Sequence, residues 1–267
     1  MQPTMLGAYG PWAAGLVPDQ PGDFSWRNPK WTRLDDWRMA ARQRLFDRLA
    51  MPDTGAPQVT VHRRFTHDGL EIEDLSWQLP YGPPTQAYLL KPANATGKLP
   101  AILSLHCHSG LKYFGREKLV KLPDTQHPLT ERIWARDGGV GWANEIASRG
   151  YVVLAHDAFA FGSRRVRLAD VPPIIRGERS DPAWDDVTGI ESYNRWAGEH
   201  ESIMAKSLFC ADTTWPGVFL AEDRAALDIL SARDDVDPAR IGCAGLSGGG
   251  LRTVMLAGAD ARIACAV

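Results

Sequence analysis

The sequence predicts an α/β protein built on a mostly parallel sheet covered by helices on both faces, and three observations carry that prediction. Four apolar runs, at 100–106, 151–155, 241–246 and 262–267, have the length and continuity of strands buried on both faces. Segments of helical character, at about 139–149, 217–233 and 248–258, lie between them, and strand alternating with helix marks parallel strands joined by crossover helices. The third observation is the turn Gly245-Leu246-Ser247-Gly248-Gly249-Gly250, which joins the third apolar run directly to a helix.

The composition suits a globular domain. With 267 residues, 44% hydrophobic and 23% charged, the chain is long enough to bury a full core. Thirty Lys and Arg against 32 Asp and Glu leave a net charge of −2, which favours neither nucleic acid nor an anionic membrane as a partner. No stretch approaches the roughly 20 apolar residues that span a bilayer. The first residues lack the basic start and apolar segment of a signal peptide, so the expected location is cytoplasmic. Cys107, Cys210, Cys243 and Cys265 show no paired spacing, and three of them sit in or beside apolar runs, which suits buried free thiols.

Two regions are expected: residues 1–58, an arm and helix packing on the core, and 59–267, a single domain. Residues 1–30 are rich in Pro, Gly and Trp without a period and read as an irregular arm. Over 31–50, Leu34, Trp37, Ala41, Leu45 and Leu49 recur at helical spacing, giving an amphipathic helix that Pro52 ends. From Val59 to Lys91 the period changes to two, in three strands separated by an Asp68-Gly69 turn and the cluster at 81–84. These read as antiparallel strands at one side of the sheet.

Within the helix at 217–233, Phe219, Leu220, Ala226, Leu227 and Leu230 share one arc, and Asp223 falls near its middle. A carboxylate on a packed face needs a partner, so Asp223 is expected to be buried and paired with Arg252 or Arg224, as a structural tie. Two long loops, at 107–138 and 157–216, leave the C-terminal ends of parallel strands, where open α/β sheets bind ligands. They carry Tyr113, Phe114, Trp134, Phe159, Phe161, Trp184, Trp196 and Trp215, aromatic surfaces suited to stacking on sugar rings. Asp157 ends a strand where it could orient these loops.

The turn at 245–249 fits Gly-x-Ser-x-Gly, a strained strand-to-helix corner that exposes a nucleophilic serine. The flanking glycines remove side chains that would collide with the neighbouring strand or helix, and the helix N-terminus points its dipole at a developing oxyanion. His106-Cys107-His108 also resembles a partial zinc set, but His127, His156 and His200 are scattered, and neither a metal nor another cofactor is expected. Arg116 and Lys118 follow that loop. They read as a solvated basic face or, for Arg116 above all, as a clamp on a substrate carboxylate or sugar hydroxyls.

The order of elements, with Gly-Leu-Ser-Gly-Gly after the third parallel strand, resembles the α/β-hydrolase fold. Leu105-His-Cys-His-Ser-Gly110 followed by Lys112-Tyr-Phe-Gly-Arg-Glu-Lys118, Ala155-His-Asp-Ala-Phe-Ala-Phe-Gly-Ser163, and Asp235-Val-Asp-Pro-Ala-Arg-Ile-Gly242 are similar to the acetyl xylan esterase-like and dienelactone hydrolase-like branch. The resemblance covers about 59–267. It implies Ser247 as nucleophile, with an oxyanion hole formed by the Gly248 amide and by the backbone of Cys107 or His108, His108 being favoured. Many relatives have glycine directly after the histidine, where this chain has Cys107. The implied activity is a serine carboxylic-ester hydrolase working through an acyl-enzyme, with Arg116 as a substrate-binding residue. A carbohydrate ester, acetyl or methyl, is the first expectation, ahead of lactones or peptides, and a non-catalytic binding protein of the same fold is the alternative.

In that fold the acid and histidine follow the serine in the chain. After Ser247 this sequence has Asp260 and no histidine. A sheet incomplete after its sixth strand is therefore expected, with the triad acid and base beyond residue 267 and a C-terminal fragment as a partner completing the fold.

Overall fold

The computed structural model describes residues 3–17, 19–136 and 138–267. The described residues fall into two compact units, one up to Arg48 and one from Leu49 to Val267. The parts of the expected arm and first long loop at Met1, Gln2, Pro18 and Asp137 lie outside the described residues.

In the first unit a short helix α1 (Gly10–Gly15) interrupts the arm expected to be irregular, with Pro11 in its first turn, where a missing N–H costs nothing. The longer helix α2 (Leu34–Leu49) forms within the predicted span. Indoles organise the arm. Trp37 of α2 packs against Trp26 with ring centroids 5.7 Å apart and donates Nε1–H to the Phe24 carbonyl at 2.9 Å, while Trp31 donates to Asp23 at 2.8 Å.

The second unit is built on a seven-stranded sheet, formed by the three alternating runs and the four continuous apolar runs of the sequence. Strands β1 (Val59–His67), β2 (Leu70–Trp77) and β3 (Thr85–Pro92) form an antiparallel run. Asp68 and Gly69, at φ 49° and 75°, make the left-handed two-residue turn that their sequence predicts. Strands β4 (Leu99–Leu105), β5 (Val152–His156), β6 (Val236–Gly245) and β7 (Ile263–Ala266) are parallel to one another. The order β1-β2-β3-β5-β4-β6-β7 puts β4 between β5 and β6. The C-terminal ends of β4, β5 and β6 therefore open on one edge, where the strand order reverses. Every residue of β5 is buried, and so are Ala101, Leu103 and Leu105 of β4, which accounts for their continuous apolar character.

The two expected long loops contain helices. Helix α3 (Pro128–Arg136) lies in the first; α4 (Trp142–Ser148) follows it and covers one face of the sheet, packing Ala143 and Ala147 against Ile72, Leu90 and Val153. The second contains the single turn α5 (Pro173–Arg176) and the 24-residue helix α6 (Val187–Cys210). Asp186 caps α6, accepting the Gly189 N–H at 2.8 Å. Its buried stripe of Ile190, Tyr193, Trp196 and Ala197 closes on Tyr113, Phe114 and Leu129 as a satellite core. Helices α7 (Trp215–Ser231) and α8 (Gly248–Ala259) complete the unit, α7 capped by Thr214. All four cysteines are free, as expected; of the three in or beside apolar runs Cys243 is buried, whereas Cys107 is half-buried and Cys265 exposed, contrary to expectation. Among the described residues no helix is long and apolar enough to cross a membrane.

Candidate active site

Ser247 stands at the junction of β6 and α8 with φ 56° and ψ −117°, a conformation that a residue with a Cβ adopts only when its surroundings impose it. Two glycines impose it here. A Cβ on Gly245 would lie 2.5 Å from the carbonyl carbon of Gly249, and one on Gly249 would lie 2.0 Å from the Leu105 carbonyl oxygen. The absence of side chains lets α8 start directly against the ends of β6 and β4, leaving Ser247 exposed at the turn. The loop that follows β4 meets the same point. The His108 amide nitrogen lies 3.0 Å from where a Cβ on Gly248 would stand, so this backbone donor and the first residue of α8 are neighbours.

Ser247 opens on a cavity of about 790 Å³. Phe161, Trp215, Phe219, Leu251, Val254 and Met255 give it apolar walls, and His106, His108, Glu201 and Arg252 supply polar groups. Of the eight loop aromatics expected to face a ligand, only Phe161 and Trp215 line this cavity. Tyr113, Phe114, Trp134 and Trp196 are buried in packing, which long segments need once they fold into helices of their own.

Both cavity imidazoles have committed ring nitrogens. His106 Nε2 accepts the Ala158 N–H at 3.2 Å, leaving Nδ1 as the protonated nitrogen, 3.2 Å from the Cys107 carbonyl. Burial, reinforced by the Lys118 and Arg252 charges, holds His106 well below the usual histidine range, so it is neutral. His108 Nδ1 accepts the Gly110 N–H at 3.0 Å, so Nε2 carries the proton and donates to Glu201 Oε1 at 2.5 Å. The same oxygen is 2.5 Å from Lys112 Nζ, whose side chain is 2% exposed and lies over the Phe161 ring at 4.1 Å. Burial raises the Glu201 carboxyl, but the bonds from Lys112 and His108 outweigh it and hold the group below its ordinary value. The two histidines thus turn to different partners.

Asp157, fully buried beyond β5, ties the two long segments together. It accepts the Arg116 N–H at 2.7 Å and the Ser163 N–H at 2.8 Å. Gly115 and Gly162 make room for it, since a Cβ on either would lie within 2.5 Å of its carboxylate. Burial, with Glu117 nearby, pushes it up to about 6. Asp223 of α7 is buried and paired as expected. Arg252 binds both its oxygens, Nε at 3.0 Å, and His156 Nε2 is 3.0 Å away. Arg224 turns instead to Asp260.

Arg116 is not brought to the cavity. Its guanidinium donates to Asp74 at 2.7 Å, to the Ala87 carbonyl at 2.9 Å and to Gln86 at 3.1 Å, and it stacks on Tyr88 at 3.9 Å. Those partners lie on β2 and β3, so its donors tie the loop to the sheet, in place of the substrate clamp expected of it. The residues that sequence reasoning missed are Glu201, which lines the cavity, and Lys112, which pairs with it; Arg252 was foreseen only as a partner of Asp223. Glu201 sits 93 positions from His108 in the chain, and no local pattern announces such a pair.

No protein-family model matches the chain. The curated protein "Putative hydrolase YtaP" of Bacillus subtilis (strain 168) is 27% identical over 227 residues, which cover 85% of this chain and 62% of that protein. A solved structure described as a "putative acetyl xylan esterase" from Bacteroides fragilis NCTC 9343 superposes with a TM-score of 0.69 at 18% identity, over 97% of this chain and 59% of that one. A glucuronoyl esterase from Solibacter usitatus gives a TM-score of 0.51 at 16% identity, over 87% of this chain and 58% of its own. The chain thus spans about three fifths of the length of the proteins it matches. Strand order, the turn at Ser247 and these likenesses agree that the chain has the α/β-hydrolase fold.

Proposed function

We propose that the protein is a serine carboxylic-ester hydrolase acting through an acyl-enzyme on Ser247, with a carbohydrate ester, acetyl or methyl, as substrate. The observation that carries the reading is the strained Ser247 at the N-terminus of α8, exposed on a cavity with the His108 amide beside Gly248. In this reading Ser247 Oγ attacks the ester carbonyl and its proton passes to a histidine. The N–H groups of Gly248 and His108 hold the oxyanion, the alcohol leaves with that proton, and water then releases the acid. Each such donor is worth about 3 kcal/mol in the transition state.

The reading needs a base. His106 and His108 have both ring nitrogens engaged, and His156 is buried against Asp223. The reading therefore assigns the base, and the acid that orients it, to residues outside those described, on a C-terminal segment of a longer protein. Support for an ester substrate comes from the relatives' names, two of which are esterases of carbohydrate materials. Phe161 and Trp215 offer rings for a sugar face. The engaged imidazoles equally favour a second reading, a non-catalytic protein that binds a ligand in the same cavity.

A fluorophosphonate probe separates the two. Labelling at Ser247 in the full-length protein, lost in Ser247→Ala, together with p-nitrophenyl acetate hydrolysis, is the expected result. An unlabelled protein without esterase activity would overturn the hydrolase reading and leave the binding protein. Acetylated and methylated glycans then sort the substrate.

A further inference from the structure

Lys118 closes a short turn, Arg116–Lys118, behind the oxyanion loop and is 1% exposed. Its ammonium donates to the Cys107 carbonyl at 2.9 Å and to the His108 carbonyl at 3.1 Å, and lies 4.5 Å from the centre of the Phe161 ring. Burying an ammonium on neutral acceptors is costly, and a packing role would be served by an apolar side chain of the same length. The peptide joining Cys107 to His108 gives the charge a purpose. A trans peptide is planar, and its C=O and N–H point in opposite directions. Drawing the Cys107 oxygen towards Lys118 turns the His108 N–H away from it, and the His108 nitrogen lies 3.0 Å from where a Cβ on Gly248 would stand. A cation on the carbonyl oxygen also withdraws electron density through the amide, making its N–H a stronger donor.

We propose that Lys118 is a positioning residue for the oxyanion hole, its ammonium aiming and polarising the His108 N–H by holding the Cys107 carbonyl. The assignment rests on the reading of Ser247 as nucleophile and His108 as oxyanion donor. Lys118 fixes this peptide together with His106 Nδ1 on the same carbonyl, and the His108–Glu201 bond fixes the residue that follows.

The test compares the full-length protein with Lys118→Met and Lys118→Arg, measuring p-nitrophenyl acetate turnover and affinity for an aryl trifluoromethyl ketone, which forms an oxyanion on the serine. Lys118→Met should lower kcat and ketone affinity together, by about 10- to 100-fold, less than the 10²–10³ lost with an entire donor. KM should stay within about threefold, and Lys118→Arg should recover most of the loss. A kcat within twofold of the unmodified protein, or a loss in KM alone, overturns the assignment.

Should Lys118→Met not fold, the pH profile answers the same question. Burial pushes Lys118 down to about 7, with Lys112 adding to the fall and the Cys107 thiol, Glu117 and Asp157 opposing it; the His106 ring also faces it and is neutral. The orienting ammonium is therefore lost as pH rises through that value, so kcat should carry a falling limb near neutrality that Lys118→Arg removes. Superimposable profiles count against the proposal. Ser247→Ala keeps the two ideas apart: turnover surviving in it defeats the nucleophile reading, whereas an inactive Ser247→Ala beside a normal Lys118→Met defeats the Lys118 assignment alone.

Discussion

Gly249 and Gly250 look alike in the sequence, and their surroundings make them opposites. A Cβ on Gly249 would meet the Leu105 carbonyl oxygen at 2.0 Å and the His106 carbonyl oxygen at 3.1 Å, both backbone atoms at the end of a central strand. Neither can move without displacing β4, so Gly249→Ala should push α8 off the sheet and abolish fluorophosphonate labelling of Ser247. A Cβ on Gly250 meets only the Gly245 carbonyl oxygen, at 3.2 Å. There the gain from replacing a helical glycine, up to about 1 kcal/mol, offsets the tight contact, and Gly250→Ala should keep both fold and labelling. Thermal melting and labelling of the two variants check this, and a labelled, stable Gly249→Ala would show that the elbow tolerates what its geometry forbids. Residues of the elbow were legible because the pattern that reveals them is contiguous. Arg116 and Lys118 were not, because the same run of basic residues can face water, substrate or backbone. Only the partners they meet, Asp74 for one and the Cys107 carbonyl for the other, separate these cases.

Adjacent carboxylates give α7 its function as an element. Glu222 and Asp223 are both buried, and they reach different structures. Glu222 accepts the Phe159 N–H at 2.8 Å and pairs with Arg164, fixing the segment after β5; Asp223 holds Arg252, fixing α8 under Ser247. Amphipathic spacing foretold the burial of Asp223, since an acid in an apolar arc has to be compensated. Spacing also foretold every strand, because runs buried on both faces cannot be mistaken for much else at that length. Helix α6 escaped notice for a physical reason. Gly189, Gly198, Thr188 and Asn194 lower its intrinsic propensity, and its buried stripe is short, mixing Tyr193 and Trp196 with Ile190 and Ala197, so tertiary contact with Tyr113 and Phe114 stabilises what local preference does not. The pair on α7 and α8 supplies a prediction at this scale. Arg252→Met leaves Asp223 buried without its guanidinium and should cost about 3–5 kcal/mol in urea unfolding. Arg132→Met, which breaks an exposed pair with Glu191 at 3.0 Å, should change stability by less than about 1 kcal/mol. Equal effects would mean that the buried pair carries no special weight.

Across the whole molecule the buried titratable groups divide into two sets that act on stability in opposite directions. Burial lowers His106 and His156, so the unfolded chain takes up protons that the folded one refuses, and stability falls as pH drops below about 6.5. Burial raises Asp157, to about 6, and Glu222. These two bind protons more readily when folded, so their contribution grows as pH falls, for Asp157 through about 6. The two trends oppose each other over the same window, and unfolding free energy should change little between pH 7 and 4.5. Below that the balance fails. Arg233, with Lys91, holds Asp235 down to about 2, and at Asp260 burial works against the charge but Arg262 outweighs it, again to about 2. Glu73 and Asp223 are lowered as well, by Arg233 and Arg252 against the pull of burial. Each of these groups stabilises the fold above its unfolded value and loses that contribution as pH falls through its folded one. Asp235 and Asp260 should each lose about 1–2 kcal/mol after allowance for solvent screening. Urea titrations at pH 7, 5 and 2.5 should therefore show a near-level step followed by a steep one. In Asp235→Asn, which cannot titrate, the drop from pH 5 to pH 2.5 should shrink by that amount. A protein as stable at pH 2.5 as at pH 5 would mean that these ion pairs, which join β2, β3 and the start of β6, do not hold the sheet together.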